Sequence, residues 1–281
     1  MIVDTHLHLI DRSALAYPWL EGAGVLNRDF RYGEYALEAH RCGISSTLHM
    51  EVDVEPSQQE QETSYVARLA AGDGDLLRGA IASCRPESPG FAAYLERQID
   101  NSFVKGLRRV LHVTPPGLSE QSLFRENIRR LEGAGLTYDL IFKAEDLPSA
   151  AALVDAAPGV QFIIDHFGSP NLLGGREQPW WSTIGELARR PNVVAKISGI
   201  VAYTDPAGWT VESLRPFFEH AVSVFGWDRL VWGSDWPVCN LGGGLPAWVA
   251  ATHALIDGVS EGERAALLSA NARRVWKLDQ S

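Results

Sequence analysis

Two histidines, His6 and His8, close the apolar segment Ile2-Val3-Asp4-Thr5-His6-Leu7-His8, and Asp235 follows a glycine and a serine in Gly233-Ser234-Asp235-Trp236-Pro237 near the other end. Side chains alternate along a strand, so histidines two positions apart share a face and can direct ring nitrogens at one ion or one water. An isolated His-x-His is more often a core histidine beside a surface one. This pair instead ends a buried-looking strand, where two polar rings need a reason, and the functional reading leads. Imidazoles together with carboxylates suit zinc binding, general acid–base chemistry, or both. A single zinc held by His6, His8 and a carboxylate, Asp235 or Glu51, would lower the pKa of its water and polarise a carbonyl. A metal-independent route stays open beside it, with Asp235 as base and histidines and an arginine stabilising the oxyanion. Both routes are hydrolytic.

These residues need a scaffold that brings both ends of the chain together. Eight short apolar runs rich in β-branched residues alternate with longer polar or amphipathic stretches. The expected strands are Ile2 to Leu9, Ser45 to Val52, Leu77 to Ser83, Val104 to His112, Tyr138 to Phe142, Gln161 to His166, Val193 to Ser198 and Leu230 to Gly233. Helical periodicity is permitted in Tyr35 to Arg41, Glu60 to Ala71, Gly90 to Gln98, Ser119 to Glu132, Pro148 to Ala156, Trp181 to Arg189 and Leu214 to Phe225. The pattern predicts one α/β domain over residues 1–281, a (β/α)8 TIM barrel, in which the first and last strands are neighbours. Two irregular insertions, Asp11 to Arg31 and Gly168 to Pro179, follow strand ends and are expected on the face where barrel enzymes keep their sites.

Strand phase assigns the inward residues. In strand two, Leu48, Met50 and Val52 are taken as the helix-covered face, which turns His49 and Glu51 inward, His49 as a core residue. In strand four, Leu107 and Leu111 face out, leaving Arg108 and His112 toward the axis. His166 is expected inward by phase with Ile164, and Asp165 either orients a neighbour or caps the turn. Lys196, alone in an apolar strand, is a carboxylate's buried partner or a substrate contact. Glu51 completes a single-metal site or pairs with Arg108. Asp235 and His166 are the candidate catalytic groups; Arg108, His112, Lys196 and Trp236 are the candidate substrate contacts; His40, His220 and His253, in helical segments, belong to the surface.

Composition narrows the partners. The formal net charge of −10 argues against nucleic acid and anionic membranes, which call for a basic surface. No apolar run is long enough to span a bilayer, and the N-terminus lacks the pattern of a secretory leader. Three widely spaced cysteines form no disulfide or zinc-finger framework, and the cytoplasm is the expected compartment. A small molecule is the expected partner, and Arg108 in an acidic chain suggests a polar or anionic one. The Trp-rich loops and helix faces permit a homo-oligomer as readily as a monomer.

The motifs together resemble the amidohydrolase superfamily: Asp4-Thr5-His6-Leu7-His8, Asp165-His166-Phe167-Gly168 and Gly233-Ser234-Asp235-Trp236-Pro237 occur in the family's order. Lys105-Gly106-Leu107-Arg108 and Lys196-Ile197-Ser198-Gly199 are most similar to its lactonase branch, which includes sugar-acid lactonases, 2-pyrone-4,6-dicarboxylate lactonases and sulfomuconolactone hydrolases. The resemblance implies a (β/α)8 fold and hydrolysis of a cyclic ester, with Asp235 as general base, His6 and His8 as metal ligands or carbonyl-polarising groups, His166 in the same site and Arg108 recognising substrate. Strand five, Tyr138-Asp139-Leu140-Ile141-Phe142-Lys143, departs from the binuclear members by offering no histidine, which puts a two-metal centre in doubt. A zinc-dependent decarboxylase of the same superfamily is the alternative activity.

Overall fold

Eight parallel strands hydrogen-bond in chain order: β1 Ile2–Leu7, β2 Ile44–Met50, β3 Leu77–Ser83, β4 Val104–Val110, β5 Thr137–Ile141, β6 Gln161–Ile164, β7 Val193–Ile197 and β8 Leu230–Trp232. The ring closes just beyond β8, where the Asp235 amide donates to the His6 carbonyl at 2.9 Å and the His8 amide to the Trp236 carbonyl at 2.8 Å. Helices α1 Tyr32–Arg41, α2 Gln59–Ala71, α3 Phe91–Ile99, α4 Ser122–Arg129, α5 Leu147–Ala156, α6 Trp180–Ala188, α7 Val211–Phe225 and α8 Leu245–Leu255 follow the strands in turn. The chain is a (β/α)8 barrel. This computed structural model describes residues 1–173, 178–204 and 208–278. No helix among them is long and apolar enough to cross a membrane.

Two apolar layers hold the barrel. The larger lies between strands and helices and includes Leu107, Tyr138, Phe162, Ile164 and Trp232. The smaller fills the interior with Val3, Leu48, Met50, Ile81, Ile163, Val194 and Val231. C-terminal helices α9 Glu261–Ala265 and α10 Asn271–Trp276 close it, Ala272 and Trp276 packing on that interior cluster. The Trp276 indole donates to Thr137 Oγ1 at 3.0 Å, which satisfies the ring's one polar atom.

The interior corrects two phase assignments. Leu48 and Met50 point into the barrel, and His49 faces α2, where its Nε2 lies 3.2 Å from Glu62 Oε1. Likewise Ile163 is interior and Ile164 lies on the helix side. A small barrel is filled by branched side chains, so both faces of its strands are apolar and alternation alone does not distinguish them. The first insertion forms two short 3₁₀ turns, Pro18–Leu20 and Gly24–Leu26, and is tied at its base by the antiparallel bridge Ile10↔Phe30. Within the second insertion, residues 174–177 lie outside the described residues.

Candidate active site

Asp4 fixes the seam on which the two histidines sit. Its Oδ1 accepts from the amides of His6 at 3.1 Å and Ser234 at 2.8 Å, and its Oδ2 from the Tyr35 hydroxyl at 2.8 Å. One buried carboxylate thus joins β1, the turn after β8 and α1. His8 Nδ1 lies 3.0 Å from the Met50 carbonyl, which only accepts, so Nδ1 carries the proton and Nε2 presents a lone pair. That Nε2 is 3.1 Å from His6 Nε2, and Asp235 Oδ1 lies 3.5 Å from His6 Nε2 and 3.4 Å from His8 Nε2. The three ligand atoms fall within 4.8 Å of one another and all three residues are buried. Two imidazoles and a carboxylate converging from a strand end and an adjacent turn are the donor set of a mononuclear zinc site, and the residues present fit such an ion.

Asp235 has a left-handed backbone, φ 59°. Its Oδ2 is buried with no hydrogen-bond partner, and burial raises the carboxyl to about 6 despite the opposing pull of His166 and Arg108. His166 reaches the same place through a pair of left-handed residues, His166 at φ 51° and Phe167 at φ 57°. Its Nδ1 lies 2.9 Å from Ser198 Oγ and 4.0 Å from Asp235 Oδ2. Gly199 makes this approach possible, since a Cβ there would sit 2.4 Å from His166 Nδ1. Burial also holds the imidazoles neutral: His6 falls well below its ordinary value, His8 to about 3 with Arg108 adding to the effect, and His166 falls too.

Beneath these groups runs a chain of buried charges of alternating sign. Arg108 Nε donates to Glu51 Oε1 at 2.7 Å and its Nη1 to Asp165 Oδ2 at 3.1 Å. Lys196 Nζ lies 2.8 Å from Asp165 Oδ1 and 2.6 Å from Asp139 Oδ2. Burial disfavours the Asp165 carboxylate, but Lys196, His6 and Arg108 outweigh it and hold the group well below the usual range. Asp139, at the end of the chain, is raised by burial to about 7.

Above the seam opens a cavity of about 200 Å³. His8, Arg108, His166 and Asp235 reach it, together with His112 and Tyr203, and apolar side chains from the first insertion and the strand ends complete its walls. Burial, then Arg108, lowers His112 to about 4.

A family model described as amidohydrolase matches residues 3–278. The chain belongs to the amidohydrolase family. It is 26% identical to an L-fucono-1,5-lactonase of Burkholderia ambifaria over 99% of this chain and 96% of that protein. It is 27% identical to a 4-sulfomuconolactone hydrolase of Rhizobium radiobacter over 83% of this chain and 75% of that one. The crystal structure of an amidohydrolase from Burkholderia multivorans with bound zinc is similar at a TM-score of 0.88 and 25% identity, covering 99% of both chains.

In this amidohydrolase the sequence-derived residues do not all meet at one place. His6, His8, His166 and Asp235 meet at the seam, and Arg108 and His112 reach the cavity together with His8, His166 and Asp235. Glu51 is bound to Arg108 through both its carboxylate and its carbonyl, and lies outside the two His/Asp groups able to hold an ion among the described residues. Lys196 and Trp236 do not line the cavity: Lys196 lies beneath it between two aspartates, and Trp236 packs against Phe30 and Tyr35. The route taken by His166 also differs from the expected one. Asp165 follows the interior phase of Ile163, and the left-handed turn then swings His166 to the same side.

Asp4, Asp139, Ser198 and Gly199 carry positioning roles that the sequence reading leaves unassigned. Asp139 carried a usable signal, a lone acid in the apolar strand Thr137–Ile141 that calls for a buried cation. Asp4, an acid in the buried strand Ile2–Leu7, and Gly199 stood in the motifs that carry the resemblance, but their partners are contributed by distant segments and local spacing did not name them.

Proposed function

We propose that this amidohydrolase hydrolyses a small lactone to the ring-opened hydroxy acid. The observation that carries the reading is Asp235 Oδ2, a buried carboxylate oxygen without a hydrogen-bond partner, raised to about 6 and adjoining neutral imidazoles at a small cavity. A carboxylate so placed is ionised at neutral pH and takes a proton readily. The lactonase and lactone hydrolase among the relatives support the same reaction class.

Asp235 accepts a proton from the attacking water as the oxygen adds to the ring carbonyl. When the Ser198 hydroxyl donates to His166 Nδ1, the opposite ring nitrogen carries the hydrogen and is free to donate to the developing oxyanion. Collapse of the tetrahedral intermediate breaks the ring C–O bond, and the leaving alkoxide takes the proton back from Asp235. A zinc ion held by His6, His8 and Asp235 would supply Lewis acidity at the carbonyl and a water of lowered pKa.

The test is acid release from a panel of lactones, followed with a pH indicator for the wild type and for Asp235→Asn. Loss of about 10²- to 10⁴-fold in kcat in a variant that folds normally is expected for removal of the base. Carbon dioxide release from aromatic acids, with every lactone untouched by metal-replete protein, would replace this reading with a decarboxylase.

A further inference from the structure

We infer that the cavity selects an uncharged lactone bearing a hydrocarbon substituent, an inference that rests on the lactonase reading. It departs from the expectation of a polar or anionic substrate, and the departure comes from how Arg108 is used.

Arg108 is the one Lys or Arg among the described residues that line the cavity, and it is 4% exposed. Its Nε is on Glu51 Oε1 at 2.7 Å, its Nη1 on Asp165 at 3.1 Å and its Nη2 on the Glu51 carbonyl at 2.9 Å. Two carboxylates therefore neutralise the guanidinium before any ligand arrives. The other charged groups on the lining are anions: Asp235, and Asp53, whose Oδ1 lies 3.3 Å from Arg85 behind it. His112, lowered to about 4, adds no positive charge near neutral pH, while His8 and His166 are held at the reacting ester by their contacts with the Met50 carbonyl and Ser198. The His6, His8 and Asp235 cluster is committed to the reacting ester. A carboxylate or sulfonate elsewhere on the ring would lose its water without gaining a cation, which is strongly unfavourable.

The walls state what is wanted instead. Ile10, Trp19, Leu26, Val52, Val113 and Val238 surround the space above the polar floor. The Trp19 indole N–H is already spent on the Val52 carbonyl at 2.8 Å, so the ring offers the cavity carbon surface. Trp19 is 37% exposed and Val113 68% exposed, leaving apolar surface at the mouth for a ligand to cover. Beyond the floor, Asp53, His112 and Tyr203 are the polar side chains the lining offers to the hydroxyls of a polyhydroxylated ring, and Asp53 is already paired with Arg85.

The experiment compares kcat/KM for unsubstituted δ-valerolactone, δ-lactones with progressively longer alkyl chains, aldono-1,5-lactones, and a carboxylated lactone such as 2-pyrone-4,6-dicarboxylate. Each added methylene is expected to raise kcat/KM about three- to four-fold until the wall is filled, with the aldonolactones and the carboxylated lactone below the best alkyl substrate by at least about ten-fold. Trp19→Ala and Val113→Asp should flatten the chain-length dependence. Val113 is exposed enough for its variant to fold. Preferred turnover of a sugar lactone or an anionic lactone overturns this inference and leaves the lactonase reading standing. Failure to turn over any lactone overturns both.

Discussion

Gly199→Ala adds one methyl group directly beneath the two groups proposed to carry out the chemistry. The glycine has φ 66°, and the added carbon would lie 2.4 Å from His166 Nδ1 and 2.8 Å from Asp235 Oδ2, where ordinary contact begins at 3.4 Å. Alanine tolerates the left-handed conformation at a cost of about 1–2 kcal/mol. The clash must be relieved by movement, and restoring van der Waals distance to the imidazole needs a displacement of ~1 Å. Such a shift breaks the 2.9 Å contact between His166 and Ser198 and moves the ring away from the substrate carbonyl. A misplacement of that size costs about 10²-fold in rate. The expected outcome is a folded protein, modestly less stable in thermal unfolding, whose kcat on its best lactone falls about 10²-fold. Steady-state kinetics and calorimetry on the same preparation separate the two effects. A kcat equal to that of the wild type would show that the His166 position inferred from this contact is irrelevant to turnover, and would refute the reasoning.

Lys196→Met should destabilise the barrel by about 3–5 kcal/mol in denaturant titration, because Asp139 and Asp165 lose their shared buried cation, and adding Asp139→Asn should restore part of the loss; an additive double mutant would count against coupling. Tyr35→Phe removes one hydrogen bond from the buried Asp4 carboxylate and should cost about 1–3 kcal/mol, read as a lowered denaturation midpoint with an unchanged m-value. Purified protein dialysed against zinc is expected to retain the ion, and His6→Ala and His8→Ala should each abolish retention measured by elemental analysis; full retention by both variants would remove these residues as ligands.

The architecture was legible because a (β/α)8 barrel repeats one signal eight times, so errors of a residue or two at strand ends leave the topology intact. The meeting of His6 and His8 with Asp235 was legible for the same reason, since closure of the ring makes the first and last strands neighbours. Facing was less so. Leu48 and Ile163 are as apolar as Leu107 and Ile164 on the opposite side, and only the contacts distinguish the barrel interior from the helix layer. The left-handed turn at His166 and Phe167 was not read either, because phenylalanine gives no sign of a positive φ and histidine, though enriched there, adopts it in only a minority of cases. Arg108 was noticed as a costly inward charge with Glu51 as one candidate partner, and Lys196 as a charge in an apolar strand that a carboxylate could pair; the structure shows both pairings, but Asp139 and Asp165, contributed by other strands, could not be named from local spacing.

Those partners explain why two buried aspartates in one site differ in chemistry. Glu51, Arg108, Asp165, Lys196 and Asp139 form a row in which each charge touches its opposite. Asp165, between two cations, stays ionised well below the usual carboxylate range, so it has little affinity for a proton and serves to orient His6, 3.4 Å away. Asp235 stands outside the row, touches imidazoles held neutral by burial, and is raised to about 6. Proton affinities pushed apart in this way suit the first to structure and the second to the proton transfer proposed for it. The row also confines the site's positive charge beneath the floor, so the cavity above it presents a proton acceptor, hydrogen-bond donors and apolar walls. The same arrangement that leaves Asp235 free for its proposed role in proton transfer keeps every charged contact of Arg108 on Glu51 and Asp165, the pairing from which the preference for an uncharged lactone is inferred.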